Sequence, residues 1–535
     1  MAGQAALATT EGDIRGALQS FGRFARTEGR PWTTVWHRAV VAGAVLPGVS
    51  LSGASYFLSG PDGFDEQRLA WSLGLPLYRT TTRRRGAQVE IEQVPTLAAF
   101  STYLRSLGTG ERQLLEVILI RGLMPWAAVR TADPAQLFTD TELRVLATAT
   151  PDRSAVQAST VSFQPGQALD YGSNLYLIVK LTRRCNLRCV YCHDWSVKGP
   201  PMMTFELLRQ LNEQALSPDR AEITFVWHGG EPTLVGRRGL LRALYLQAHF
   251  RRDGQRVTNL LQTNGTTVTP AWTRLLDYFG IRVGLSLDGP PALHDRSRVD
   301  ASGRGTYAEV VRGLQLLRAR GLLGTVLLVV TAEIVEYGAA GLVRALVDLE
   351  LHNIGLLPVR PGNTELHRLD EAMTRSTYLR FLMDVDAEIR RQRAPLRVRE
   401  TEAVRAALFG RPAGHCELHG NCVGTFLSVD VDGSLAHCDK YVGDPEYQLG
   451  HLMTGDLRDP RSSGAVQRLQ QVAMTSTQQR ECPYQQACLG WCPHEAYVSR
   501  RLGDDLSCCG LAPLFEHFLA AEPEQFTPTG AAAWH

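Results

Sequence analysis

The sequence predicts an α/β chain built on six parallel βα units, with a mainly helical extension ahead of them and a cysteine-rich region behind. The first observation is periodicity. From Leu175 onward, short β-branched or apolar runs alternate with helical stretches, the pattern of parallel βα units. The runs are Tyr176 to Leu181, Ile223 to Trp227, Thr258 to Gln262, Val283 to Leu287, Thr325 to Val330 and Ile354 to Val359. Six units fall short of the eight that close a full barrel, so the expectation is a partial (β/α)6 TIM barrel, with the working residues on loops at the carboxyl ends of the strands. The second observation is the placing of the 11 cysteines. None precedes Cys185, three sit within eight positions, and the rest fall between Cys416 and Cys509. Such clustering, with an odd total, points to metal sites rather than a secreted disulfide scaffold.

A chain of 535 residues with 44% hydrophobic content supports two or three packed domains. The expected division is an amino-terminal extension at 1–170, a barrel at 171–370, a helical linker at 371–409, a cysteine-rich domain at 410–520 and a tail at 521–535. The extension carries scattered tryptophans, a strand-like Val89 to Val94 and an amphipathic helix candidate from Glu111 to Leu123, but no catalytic motif. A net charge of +2 gives no field to gather nucleic acid or an acidic membrane, and the basic run Arg83 to Arg85 reads as a solvated loop. The apolar stretch from Ala39 to Leu58 is broken by Pro47, Gly48 and Gly53, against a membrane span. No secretory start is evident, and the cysteine usage suits a cytoplasmic protein.

The first cysteine group follows the first strand directly as CxxxCxxC, with Cys185, Cys189 and Cys192. Three thiolates on one loop hold three irons of a 4Fe-4S cluster, where a closed cluster takes four cysteines. One iron is left open, and an open coordination position implies a ligand to be activated there. Arg183, Arg184 and Arg188 favour thiolates and an anionic cluster. A zinc loop would need a fourth ligand at finger spacing, and His193, adjacent to Cys192, is badly placed for it.

With Tyr191 before the last cysteine, this loop resembles the signature of the radical S-adenosylmethionine (SAM) superfamily. The following strand ends fit the resemblance in order. Gly229-Gly230-Glu231-Pro232 is similar to the family's GGEP motif, whose glycines admit the amino group of S-adenosylmethionine. Thr263 and Asn264 follow the third strand, and Ser286, Asp288, His294, Asp295 and Arg298 follow the fourth. The resemblance implies that these residues line the cofactor. Capping and loop ion pairs are the plain alternative for Thr263, Asn264 and Arg298.

The carboxyl region, with Cys416-x5-Cys422, Cys438, Cys482-x5-Cys488-x3-Cys492 and the Cys508-Cys509 pair, resembles the SPASM domain with its auxiliary 4Fe-4S clusters. The resemblance assigns Cys416, Cys422, Cys438 and Cys492 to a first auxiliary cluster. It assigns Cys482, Cys488 and a cysteine of the 508/509 pair to a second. Gln479 stands where that pattern has a further cysteine. Three readings stay open: ligation by both Cys508 and Cys509, an iron without a cysteine ligand, and a degenerate or zinc-holding half-site.

Among SPASM proteins the chain is similar to anaerobic sulfatase-maturating enzymes and to relatives that cross-link ribosomal peptides. The shared stretches are Ser286-Leu-Asp-Gly-Pro, His294-Asp295 and Cys438-Asp439. The resemblance implies reductive cleavage of S-adenosylmethionine to a 5'-deoxyadenosyl radical, hydrogen abstraction from a peptide or protein side chain, and an auxiliary cluster that accepts the second electron. Asp439 is the implied base, against a solvated aspartate pairing with Lys440. Implied partners are the substrate and an electron donor such as flavodoxin or ferredoxin, with no nucleic acid and no membrane. The alternative is radical modification of a small-molecule natural-product intermediate, with sulfur insertion from an auxiliary cluster, a reading motivated by Gln479.

Overall fold

The computed structural model describes residues 11–28, 78–85, 88–95, 98–108, 134–149, 174–192, 200–218, 222–252, 255–360, 373–408, 416–418, 426–455, 483–488 and 510–521, with single positions between. Cys422, Cys482, Cys508, Cys509, Gln479 and the stretch from Ala39 to Leu58 lie outside the described residues, as does most of Glu111 to Leu123. The chain divides into two compact units.

One unit comprises Met1–Ala149 with Leu241–His249 and Asp277–Phe279. Among its described residues lies an aromatic cluster. Helix α1 (Glu11–Glu28) presents Phe21 and Phe24 to Trp32 and to Phe100 and Tyr103 of α2 (Ala98–Ser106). The Phe24 and Tyr103 rings stack at 4.6 Å. Helix α3 (Asp140–Thr148) starts with a capping box, in which Thr139 N donates to Glu142 Oε2 at 2.8 Å and Glu142 N to Thr139 Oγ1 at 3.3 Å. The helical expectation needs one correction. Arg83 to Arg85 end a strand, β1 (Tyr78–Arg85), which pairs antiparallel with β2 (Gln88–Pro95). The preceding threonines, β-branched, favour that extended backbone.

The other unit carries the sheet. Strands β3 (Asn174–Thr182), β4 (Glu222–Gly229), β5 (Arg256–Thr263), β6 (Arg282–Ser286), β7 (Leu323–Val330) and β8 (Asn353–Pro358) pair in parallel in chain order. The six expected runs are thus the six strands. Helices α4 (Phe205–Ala215), α5 (Gly236–Phe250), α6 (Pro270–Tyr278), α7 (Pro291–Ser297), α8 (Tyr307–Ala319), α9 (Ala332–Tyr337) and α10 (Ala339–Asp348) lie between them in sequence. One sheet face is buried by Leu177, Val179, Phe225, Trp227, Leu261, Val283, Leu285 and Leu328. The alternate face is only half-buried along much of its length, as the two-residue period of strands requires.

Two features go beyond the sequence reading. The helical linker expected at 371–409 is not one helical stretch. Helix α11 (Arg375–Gln392) stops at Arg393, which adopts a left-handed φ of 50°, and β9 (Arg397–Val398) joins the edge of β8 before α12 (Arg399–Leu408). At the opposite edge, β10 (Phe426–Val429) pairs in parallel with β3, and β11 (Ser434–Ala436) and β12 (Gln448–His451) extend the sheet antiparallel. The cysteine-rich region therefore shares one ten-stranded sheet with the βα units. Short helices α13 (Gln485–Cys488) and α14 (Ala512–Ala521) follow. No helix among the described residues is long and apolar enough to cross a membrane.

Candidate active site

The loop bearing the first three cysteines leaves the carboxyl end of β3 and is fastened from several sides. Thr182 Oγ1 donates to Pro201 O at 2.6 Å, and Arg183 N donates to the same carbonyl at 3.1 Å. Arg188 N donates to Val299 O at 2.7 Å and Val190 N to Ser297 O at 3.0 Å. Arg183 closes on Asp430, Nε to Oδ1 at 2.9 Å with Nη2 on Oδ2, so a buried ion pair ties the loop to the β10–β11 turn.

Gly229 and Gly230 lie directly beneath this loop. Gly230 N donates to Thr182 O and Glu231 N to Arg184 O, both at 2.8 Å. A Cβ on Gly229, whose φ is +117°, would stand 2.2 Å from Thr182 O, and one on Gly230 would stand 2.4 Å from Arg184 O. Only glycine permits the end of β4 to pass so close to the cysteine loop. The close approach visible here is to that loop's own carbonyls.

The sulfurs have donors around them. Leu187 N lies 3.3 Å from Cys185 Sγ, Asn264 Nδ2 3.9 Å from the same sulfur, and Arg298 Nη1 3.9 Å from Cys189 Sγ. Cys185 and Cys189 are free thiols. Burial pushes the Cys185 thiol up to about 11 and raises that of Cys189 against the nearby Arg298 charge. Among the described residues, no three His, Cys, Asp or Glu side chains gather tightly enough to chelate one ion. A cubane takes each thiolate at a different iron, and N–H donors and positive charge near sulfur are what an anionic cluster calls for. The donor set of this loop fits such a cluster.

The strand ends beyond are braced by two buried carboxylates. Glu231 Oε1 accepts from Thr233 N at 3.0 Å and from Thr263 Oγ1 at 2.7 Å, and Oε2 accepts from Asn264 N at 2.8 Å. The GGEP loop is thereby joined to the end of β5, with Pro232 opening the 3-10 turn that follows. Burial raises the Glu231 pKa above the usual carboxylate range despite these donors. Asn264 Nδ2 also donates to Asn186 Oδ1 at 3.0 Å, so the β5 loop touches the cysteine loop.

Asp288 is the second brace. It accepts from Arg298 Nε at 2.9 Å, from Val329 N at 3.0 Å and from the Tyr191 hydroxyl. The Arg298 guanidinium stands 5.5 Å from the Tyr191 ring centre. Burial raises the Tyr191 pKa well above its ordinary value. Asp288 N donates to His294 Nδ1 at 3.2 Å, so the neutral ring carries its hydrogen on Nε2, 3.3 Å from Thr306 Oγ1. Burial lowers the His294 pKa to about 4. Asp295 caps α8 by accepting from Tyr307 N at 2.8 Å. Ser286 Oγ accepts from Gln262 Nε2 at 3.1 Å on the half-buried sheet face.

Cys438 follows β11, and burial pushes its thiol up to about 12, with the Cys416 charge adding to the effect. Cys416 opens a 3-10 turn, Cys488 ends α13, and Cys492 stands just ahead of His494 and Glu495. The plain expectation for Asp439, a pair with its neighbour Lys440, does not hold. Asp439 Oδ1 lies 2.8 Å from Lys180 Nζ, and Lys440 Nζ instead meets Glu495 Oε1 at 2.9 Å. Buried Glu495 also accepts from Arg360 Nε at 2.9 Å, with Arg375 Nη1 at 3.5 Å. Burial opposes its ionisation, but Lys440, Arg360 and Arg375 outweigh that and hold its pKa well below the usual range. Lys180, Arg183 with Asp430, and Glu495 were absent from the sequence reading. The signal for Lys180 was a lone charge inside an apolar parallel strand.

Residues 179–335 match the Radical SAM superfamily. The serine-type anaerobic sulfatase-maturating enzyme of Klebsiella pneumoniae is 31% identical over 357 residues, covering 65% of this chain and 89% of that protein. The cysteine-type anaerobic sulfatase-maturating enzyme of Clostridium perfringens (strain ATCC 13124) is 25% identical over 329 residues, covering 59% of this chain and 88% of that protein. The solved structure of native anSMEcpe with bound AdoMet has the same fold, with a TM-score of 0.56 at 22% identity over 67% of this chain and 100% of that one. This chain belongs to the radical SAM superfamily and, within it, to the family of the anaerobic sulfatase-maturating enzymes. It is an enzyme.

Proposed function

We propose that the chain oxidises a serine or cysteine side chain of a peptide or protein, using S-adenosylmethionine and a 4Fe-4S cluster held by Cys185, Cys189 and Cys192. When bound, these groups would supply a 5'-deoxyadenosyl radical for removal of one hydrogen atom from the substrate carbon, and an auxiliary cluster would supply a sink for one electron. Asp439 takes the remaining proton from the hydroxyl or thiol, so the CH–XH group loses one hydrogen atom, one proton and one electron and becomes C=X. Gly229, Gly230, Asn264 and Ser286 are the proposed cofactor contacts. Glu231 bonded to Thr263, and Asp288 bonded to Arg298 and Tyr191, hold those contacts in place. Cys416, Cys438 and Cys492, with Cys422, are the proposed SPASM-type ligands of the electron acceptor.

The observation that carries the reading is the Lys180–Asp439 ion pair. It holds a partly open carboxylate against the strand that ends in the cysteine loop, where a general base is needed. The names of the relatives, serine-type and cysteine-type, support the choice of side chain. The test is anaerobic incubation of reconstituted, reduced enzyme with S-adenosylmethionine and peptides bearing serine or cysteine. Release of 5'-deoxyadenosine is expected, with the serine peptide lighter by two hydrogens and the cysteine peptide reaching the same aldehyde once water displaces its sulfur as hydrogen sulfide. Release without any peptide change across both residue types overturns the proposal.

A further inference from the structure

The geometry points to Lys180 as the positioning residue for the proton-accepting carboxylate of Asp439, an inference that rests on the proposed function and deepens it. Lys180 lies in β3 between Val179 and Leu181, and its side chain has no solvent exposure. A buried ammonium costs several kcal/mol unless it is paired. Its Nζ lies 2.8 Å from Asp439 Oδ1, while the Asp439 side chain remains 27% exposed. The carboxylate is thus pegged from within the sheet and reachable from outside it.

Neighbouring interactions explain why the peg selects one direction. Asp439 and Lys440 are adjacent, yet they pair with partners on different elements, Lys180 on β3 and Glu495 near Cys492. The turn between them, closed by Tyr441 N on Cys438 O at 3.1 Å, is therefore held from both sides. In the parallel register Lys180 is opposite His228, so both side chains leave the same sheet face. That face also carries Gln262 bonded to Ser286. Asp439 is thus fastened to a residue of this face, on the strand that leads into the loop bearing Cys185.

A lysine present only for folding would be replaceable by methionine, because the carboxylate left behind is 27% exposed and solvated by water, unlike a wholly buried partner. A positioning lysine is not. The test compares wild type with Lys180→Met, Lys180→Arg, Asp439→Asn and the Lys180→Met/Asp439→Asn double variant. Two quantities are read. The first is amide hydrogen exchange of the 438–447 segment in protein without substrate. Exchange should quicken on the order of tenfold in Lys180→Met and no further in the double variant. The second is 5'-deoxyadenosine released per modified peptide, which should rise on the order of tenfold in Lys180→Met and revert towards wild type in Lys180→Arg.

Unchanged exchange overturns the inference whatever the substrate proves to be. Faster exchange with an unchanged ratio, in an enzyme that does modify peptide, reduces Lys180 to a structural role and also overturns it. If Lys180→Met does not fold, the double variant, which carries neither charge, replaces it. Equal exchange in that variant and in wild type then overturns the inference. Wild type that releases 5'-deoxyadenosine but alters no peptide removes the proposed function, while the exchange result still decides the pegging of Asp439.

Discussion

Arg298 and Asp288 form an ion pair of 2.9 Å in which the carboxylate is wholly buried and the guanidinium only 9% exposed. The same guanidinium reaches toward Cys189 Sγ, and the same carboxylate accepts from Tyr191, so one pair fixes the distal half of the cysteine loop. Arg298→Met strands a buried carboxylate and should lower stability by about 3–5 kcal/mol. Urea unfolding checks this, and a loss below about 1 kcal/mol would refute the bracing role.

Gly230→Ala tests the contact under the loop. The added methyl would stand 2.4 Å from one backbone carbonyl and 2.7 Å from the next, and neither can turn aside like a side chain. The expected outcome is a loss of about 1–3 kcal/mol and iron lower by one cluster after reconstitution. Iron and sulfide counting alongside thermal unfolding measures both.

Glu495→Gln removes the one carboxylate on which Arg360, Arg375 and Lys440 converge. Leaving buried cations without it should cost about 3–5 kcal/mol. Lys440→Met, at the more exposed corner of the cluster, should cost about 1 kcal/mol or less. Chemical denaturation of the two variants side by side gives the comparison.

His294 predicts a pH dependence of stability. Burial chiefly, and then the Arg298 charge, lower its folded pKa to about 4, while Asp288 and Asp295 act the other way. The unfolded ring titrates near about 6.5. Between these values the unfolded chain binds a proton that the folded chain does not, so stability falls as pH drops from about 6.5 to about 4 and is unaffected above. The loss is about 3 kcal/mol at most. His294→Gln should flatten this limb, and denaturation midpoints at neutral and mildly acid pH report it.

Asp439→Asn keeps the shape of the side chain but removes the proton acceptor. Modified peptide should fall by about 100-fold or more, with 5'-deoxyadenosine accumulating in excess of it. Quantifying both products by mass spectrometry decides, and full product formation would exclude Asp439 from the reaction.

The sheet was legible because burial writes itself into local sequence. The run Leu-Ile-Val before Lys180, and Phe225 and Trp227 two apart, are periodic signals that need no distant partner. The strand-end motifs were legible for the same reason. Their internal division of labour was not. Glu231 reads from sequence as a cofactor contact, yet in the structure Thr233, Thr263 and Asn264 occupy its oxygens. Pairs such as Arg183 with Asp430, 247 residues apart, leave no local trace. For Asp439 the adjacent lysine was a misleading signal, because a turn sends consecutive side chains to different neighbours. The β1 strand escaped because runs of threonine and arginine occur in loops as well as in strands.

The parallel pairing of β10 with β3 also constrains how the protein comes into being. Val179 waits about 250 residues of synthesis for Val429, and until then β3 is an unprotected sheet edge in a nascent chain. Contacts so remote in sequence form late and slow the search for the native state. Shortened chains ending before residue 426 would keep that edge bare, and their fate should be self-association on the ribosome's exit side rather than a smaller working enzyme.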